Sequence, residues 1–405
     1  MYNAEKLNIL LFQHKIYDLE LGYFEVLKKV DFCAELLQHL KRLYELGYTD
    51  ILINVLEKIG MCVTDPNKQT IRTNALRIVT GFTDVLNGQK DRALFQIVAK
   101  IAKDWLQTER GFNTGQKRVL SQIGGFVQKM FSLQLWHQSE PLVSLSQQIS
   151  RGTSSVDGLF KKEVSKLHRK IADKTVIQVL VQSFLESKAP TQAITGDLLL
   201  ALAPHSSETM IHSLFTCSKR NTRLAFLEMI PQESEGVLPV IIEKLKDKQP
   251  WYIVRNSMVI LGALGDPDLY NFAHPFLNHP DSRVQREVVL CITSLGGENV
   301  TSRLLNTFHR INDDVKPLVI EHLQPFNDSK IGVLFLGILE QRNNFSSNVR
   351  KELIYRICSS GKLLHSERAM SFLENIVNER ESVSYTHLTL PTRCHRCRSR
   401  WSPYH

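Results

Sequence analysis

Apolar residues recur at intervals of three and four along almost the whole chain, and β-branched alternation is scarce. Nearly every segment therefore reads as an amphipathic helix. In FEVLKKV (24–30) and CAELLQHL (33–40) the spacing paints one stripe on each helix. The same pattern predicts helices over 49–58, 68–86, 90–106, 115–131 and 139–148, and the stretch 65–76 (DPNKQTIRTNAL) reads as the opening of a repeat helix. From about residue 175 paired helices follow in regular order. Pro190 supplies the fixed φ suited to a helix start. Ser206, Asn221, Asp266, Asp281 and Asn312 punctuate the joints, where their side chains can accept bonds from the free amides of the first turn. Further on, Ser366 reads as another N-cap, and Ala369, Phe372, Leu373 and Ile376 form the stripe of the helix behind it. Met370 and Val377 add a second apolar edge to that helix.

The second half of the chain echoes itself. Residues 254–265 read VRNSMVILGALG and residues 284–296 read VQREVVLCITSLG. Set on the closing glycines, Gly265 and Gly296, the copies stand 31 residues apart, with Arg255 on Arg286 and Leu264 on Leu295. A third copy opens at Val315 with Ile320 and Leu323 in the apolar slots, and a fourth runs from Val349 and Arg350 to Gly361. A period of this size implies stacked supersecondary units, each too small to bury its own apolar face. The expected fold class is all-α: an α-solenoid of HEAT-like helix pairs with a less regular helical N-terminal part.

One break interrupts the pattern. Residues 150–158 (SRGTSSVDG) are rich in turn formers and read as a linker. Residues 161–174 then carry six basic residues against two acidic ones. That run is either a docking patch for an acidic partner or the solvated face of a helix, and the lack of interleaved aromatics favours the solvated face. The expected organisation is a helical N-terminal region (1–148), a linker with a basic helix (149–174), a repeat solenoid (175–381) and a tail (383–405).

The tail resembles the translation of a transposase sequencing adapter. Residues 383–392 (VSYTHLTLPT) correspond to GTC TCT TAT ACA CAT CTG ACG CTG CCG ACG, and residues 397–405 (CRSRWSPYH) to the outer part of such an adapter. Residues 393–396 fit a variable index between them. By that resemblance the native reading frame is cut near Glu381, Met1 need not be the true start, and the tail is set aside from fold reasoning. The Cys394/Cys397 pair could also be read as half a zinc site, but no second pair follows it.

Removing the tail changes the charge argument. Without Arg393, Arg396, Arg398 and Arg400, 50 basic against 41 acidic residues become 46 against 41, and the net charge falls from +9 to +5. That is a mild excess, not the footprint of a nucleic-acid binder. Cys33, Cys62, Cys217, Cys291 and Cys358 are scattered at wide spacing and read as reduced residues of a cytoplasmic protein. No apolar run is long enough to span a membrane, and the N-terminus lacks a secretory layout. No phosphate loop, nucleophile elbow, His-Glu-x-x-His or dinucleotide fingerprint occurs, so no catalytic, cofactor or metal residue is assigned. His274, His279 and His309 lie near turns, but Pro275 separates the first two and spoils their spacing for one helical face.

These features together resemble HEAT repeats in their short bacterial form: an Asp-containing turn, then Val-Arg, then apolar positions ending in Leu-Gly. The resemblance is good over 220–361, looser over 175–381 and weak before 150. Lys316 and Pro317 stand in the third copy where the Arg belongs. By resemblance, Arg255, Arg286, Arg350 and Asp281 stabilise repeat stacking. The partner-contact candidates are Trp251, Tyr252, Arg255, Arg283 and Arg286, since exposed Trp, Tyr and Arg supply most binding hot spots. The expected function is a non-enzymatic scaffold that holds another protein, with no cofactor and no small-molecule substrate. Two other functions occur among proteins of this resemblance. A bilin-lyase-like enzyme would need a phycobilisome neighbourhood, and a HEAT-fold DNA glycosylase would need a basic groove with converging aromatic and carboxylate residues.

Overall fold

The computed structural model describes Leu7 and residues 10–381, except 15, 66, 87, 110, 111, 113, 153–155, 364 and 365. The adapter-like tail, with Cys394 and Cys397, lies outside the described residues. The fold is all-α, with no strand among the described residues. The chain forms two compact units that divide between Ile260 and Leu261.

The first unit contains α1 (Val30–Glu45), α2 (Thr49–Met61), α3 (Gln69–Phe82), α4 (Arg92–Thr108), α5 (Thr114–Ser132), α6 (Trp136–Arg151) and α7 (Gly158–Ile171). It continues with α8 (Lys174–Glu186), α9 (Ala189–Ala201), α10 (Ser207–Thr216), α11 (Arg220–Met229) and α12 (Ser234–Lys246). Each early helix packs on the next but one. One row runs α1–α3–α5–α7 and the other α2–α4–α6. Two stacked rows are the arrangement expected of helix pairs that bury their stripes only against their neighbours. Short 3-10 turns at Phe24–Lys28, Cys62–Thr64 and Thr83–Val85 make this part less regular. The rows meet through large buried side chains: Phe95 stacks on Phe126 with centroids 5.6 Å apart, and Trp105 meets Phe160 edge-on at 6.0 Å.

The order shifts at the basic segment. Helix α6 packs on α9, three helices on, and the later row runs α8–α10–α12. Helix α7 is capped by the Asp157 carboxylate, which accepts from the amides of Leu159 (3.1 Å) and Phe160 (3.3 Å). It buries Phe160, Val164, Leu167 and Ile171, so its lysines fall on the opposite face. Gly124 on α5 admits this close packing, because a Cβ there would lie 2.9 Å from Leu167 Cδ1.

Helix α13 (Trp251–Leu264) straddles the division between the units. The second unit then holds α14 (Ser282–Leu295), α15 (Val300–Phe308), α16 (Lys316–Leu323), α17 (Ser329–Glu340), α18 (Ser347–Ser359) and α19 (Glu367–Glu381). Contacts again join neighbours and next neighbours: α14–α15–α16, α14–α16–α18 and α17–α19. Ile320 and Leu323, in the apolar slots of the third copy, are fully buried. The closing glycines of the copies, Gly265, Gly296 and Gly361, all have positive φ (68°, 63° and 67°). A side chain resists that conformation, so a helix ending there takes glycine. The residues 262–265 are a helix end, as their place in the repeat predicts. Asp281 caps α14 through the Arg283 amide (2.9 Å), and Ser366 caps α19 through the Ala369 amide (3.2 Å). Ser206 departs from expectation: its hydroxyl bonds the Leu199 carbonyl, not the first turn of α10.

Candidate protein-interaction surface

The sequence-predicted contact residues fall in different settings. Trp251, the first residue of α13, is half-buried, and Tyr252 is exposed beside it, the rings edge-to-face at 6.1 Å. Arg255 is half-buried, with its guanidinium 3.2 Å from the Asn256 side-chain oxygen. In the second unit Arg283 folds back on its own turn, its Nε 3.0 Å and Nη2 2.7 Å from the two Asp281 oxygens. Arg286 is exposed, close enough to His322 to help lower that imidazole's pKa, an effect led by burial. Arg350 donates to the Asn343 side-chain oxygen at 3.0 Å.

The residue that joins successive turns of the second unit is one the sequence did not single out. Gln285, 2 % exposed, donates to the His279 carbonyl (2.8 Å) and accepts from the Asn312 amide (2.7 Å). It stands between Val284 and Arg286, in a slot that Val254 fills one copy earlier. Polarity at a core slot was the available signal. Nearby, Arg303 lies 4.3 Å over the Tyr270 ring and donates to the Pro267 carbonyl at 3.2 Å. Arg310 contacts the His274 ring, and the Asp281 amide donates to His279 Nδ1 at 3.1 Å. His274 and His279 thus hold turns, and among the described residues no group of His, Cys, Asp and Glu could hold a metal ion.

Two concave sites stand out, one in each unit. In the second unit α15, the first turn of α16, and α17 enclose a groove of about 580 Å³. Its apolar floor is made by Leu305, Phe308, Leu334, Ile338 and Phe345, and Ser302, Asn306 and Gln341 add polar positions to the lining. Lys316, Lys330 and His309 edge it, and no Asp or Glu is among its lining residues. Lys316 Nζ is 5.2 Å from the ring centroids of both Phe308 and Phe345, and 2.7 Å from the Asp313 carboxylate. Val333 on α17 is 71 % exposed at the rim.

The first-unit cavity, about 540 Å³, is lined by polar groups of both signs, among them Arg151, Arg169, His205, Glu233 and Glu235. Arg151 pairs with the buried Glu233. His168 sits against it, 5 % exposed, with Nδ1 2.8 Å from the Ser146 hydroxyl, which is also placed to donate to the Val143 carbonyl at 2.7 Å. Burial, reinforced by His205 and Arg151, pushes the His168 pKa down to about 4. The imidazole is therefore neutral at pH 7.

All five cysteines of the described residues are free thiols. Burial pushes the Cys62 and Cys291 thiols up to about 12, which makes them packing residues and not nucleophiles. No described helix is long and apolar enough to cross a membrane.

No protein-family model matches the chain, and no curated protein matches it. Among solved structures it is similar to Kap121p bound to RanGTP, at 11% identity and a TM-score of 0.39, over 90% of this chain and 45% of that one. It is also similar to a circular tandem repeat protein, at 12% identity and a TM-score of 0.30, over 94% and 88% of the two chains. An engineered protein matches at 13% identity and 0.26, over 85% and 98%. The chain spans less than half the length of Kap121p.

Proposed function

We propose that the chain is a non-enzymatic scaffold that holds another protein on the surface of its stacked helix pairs. The observation that carries this reading is the apolar-floored groove of the second unit, open beside Val333 (71 % exposed). Apolar surface left open in this way is what binding a partner covers. Trp251, Tyr252, Arg255, Arg283 and Arg286 are further contact candidates, and the acid-free groove adds Lys316 and Lys330 to them. Free cysteines fit a reducing, cytoplasmic setting. The test is affinity purification of the natural protein, followed by reconstitution from purified components. A stoichiometric complex between purified proteins is the expected result. If no protein forms such a complex, the scaffold reading fails.

A further inference from the structure

The groove of the second unit has a feature that its own packing does not require. Gly337 lies in the last turn of α17 and lines the groove, and a Cβ built on it would meet nothing within 4 Å. Its φ is not positive, so no turn demands glycine either. Glycine inside a helix is disfavoured relative to alanine. Several other helical glycines answer to a close neighbour, as a Cβ on Gly262 would lie 3.1 Å from the Cys291 backbone and one on Gly124 2.9 Å from Leu167, whereas Gly125, like Gly337, meets nothing. At Gly337 the space is empty. The missing side chain keeps the floor open next to Leu334 and Ile338.

Charge narrows what fits. Lys330 stands about two turns before Gly337 on the same face of α17, exposed and without an ion pair among the described residues. Lys316 is 17 % exposed and pairs with the half-exposed Asp313 at 2.7 Å, so a partner's carboxylate would compete with that contact. Two ammonium groups and an imidazole border an apolar floor that carries no carboxylate. Such a surface favours an occupant with negative charges around an apolar centre.

We propose that this groove docks a short acidic segment of a partner protein, with a large aliphatic or aromatic side chain seated over Gly337 and carboxylates facing Lys330 and Lys316. The inference rests on the scaffold reading and adds to it the site and the chemistry of the occupant. Because the floor is already formed, binding would cost little rearrangement of the chain itself.

Selection of a phage-displayed random peptide library on the full chain tests it. The enriched peptides should carry Asp or Glu beside a large apolar residue. Made synthetically and followed by fluorescence anisotropy, they should bind Gly337→Leu and Lys330→Glu about tenfold or more weakly than the parent, the loss expected for a central contact. A Cβ at 337 meets none of the chain's own atoms within 4 Å, and unchanged helicity and melting temperature would confirm that the leucine variant folds. Raised salt should weaken the parent complex. Enrichment of basic peptides, undiminished binding to Gly337→Leu, or no enrichment would each overturn the proposal. A natural partner that binds Gly337→Leu as tightly as the parent would remove this site and leave the scaffold reading standing.

Discussion

The guanidinium of Arg72 lies 3.6 Å from the carboxylate of Glu109, and neither side chain is more than 2 % exposed. The pair ties the first turn of α3 to the residue that ends α4, 37 positions later. Arg72 Nε also donates to the Val63 carbonyl at 2.7 Å, and Nη2 to the Thr108 hydroxyl at 2.8 Å. A buried cation surrounded by acceptors in this way is satisfied, but only while all of them stay in place. Replacing Arg72 by Ala leaves Glu109 charged in a dry site, and breaking a buried pair costs about 3–5 kcal/mol. Changing both residues to apolar ones of similar volume should cost much less. Denaturant unfolding of the single and double variants checks this. Equal losses in the two would show that the pair itself is not what holds the helices.

Gln285 does for the second unit what Arg72 does for the first. Its amide spans the turn at His279 and the turn at Asn312, one repeat apart. Gln285→Leu removes the partner of the Asn312 amide and the His279 carbonyl; a fully buried group left without a partner costs about 1–3 kcal/mol, and water reaching the exposed Asn312 makes the loss here smaller. Arg286→Ala next to it, an exposed position, should stay within about 0.5 kcal/mol of the parent. Hydrogen exchange at the Asn312 amide should speed up in the first variant and not in the second. A large effect at Arg286 instead would restore it to the stacking role that the repeat pattern implies.

Helix type was legible because burial of one stripe is written directly into apolar spacing, as in Phe160, Val164, Leu167 and Ile171. The closing glycines were legible too, since positive φ leaves few alternatives at Gly265 and Gly296. Joint residues were legible only by type: Asp281 and Ser366 cap, while Ser206 turns its hydroxyl back to Leu199. Contacts that cross between helices left little trace. Nothing in residues 65–76 shows that Arg72 would be buried, because its partner is set by which helix lands beside it. The groove was hidden for the same reason. Its residues come from three helices and the segments that follow two of them, and the part played by Gly337 depends on space that only the packed structure defines.

Acid should weaken the first unit in a defined window. His168 and His39 are held neutral by burial, each with its pKa pushed down to about 4 from the ordinary 6.5. Below pH 6.5 the unfolded chain takes up protons at these sites while the folded one does not. Their stabilising contribution is therefore full above pH 6.5 and is lost as the pH falls toward 4. The loss approaches, at most, about 1.4 kcal/mol per pH unit for each imidazole. Other groups facing His168 are Arg151, Arg169, His205 and the Glu233 and Glu235 carboxylates. Carboxylate effects are shared by all variants, so His168→Phe isolates the imidazole. Its melting temperature should fall less steeply than that of the parent between pH 6.5 and 4.5. Parallel curves would mean that His168 gains no proton on unfolding.

Helix α19 offers the remaining test, on self-association. It packs on α17, and along its stripe Ala369 is buried and Phe372, Leu373 and Ile376 are half-buried. Met370 and Val377 lie two turns apart on the helix and are 43 % and 59 % exposed. Covering side chains of this size is worth up to about 1.5–3 kcal/mol each, and burying only the exposed part gives proportionally less. Even one such increment is about a tenfold change in an association constant. A polar pair, Met370→Gln with Val377→Glu, removes the gain and leaves the contact with α17 untouched. Sedimentation velocity over a concentration series should then show the parent associating at lower concentration than the double variant, with equal melting temperatures. If both sediment alike at every concentration, the second apolar edge of α19 is inert toward copies of the chain.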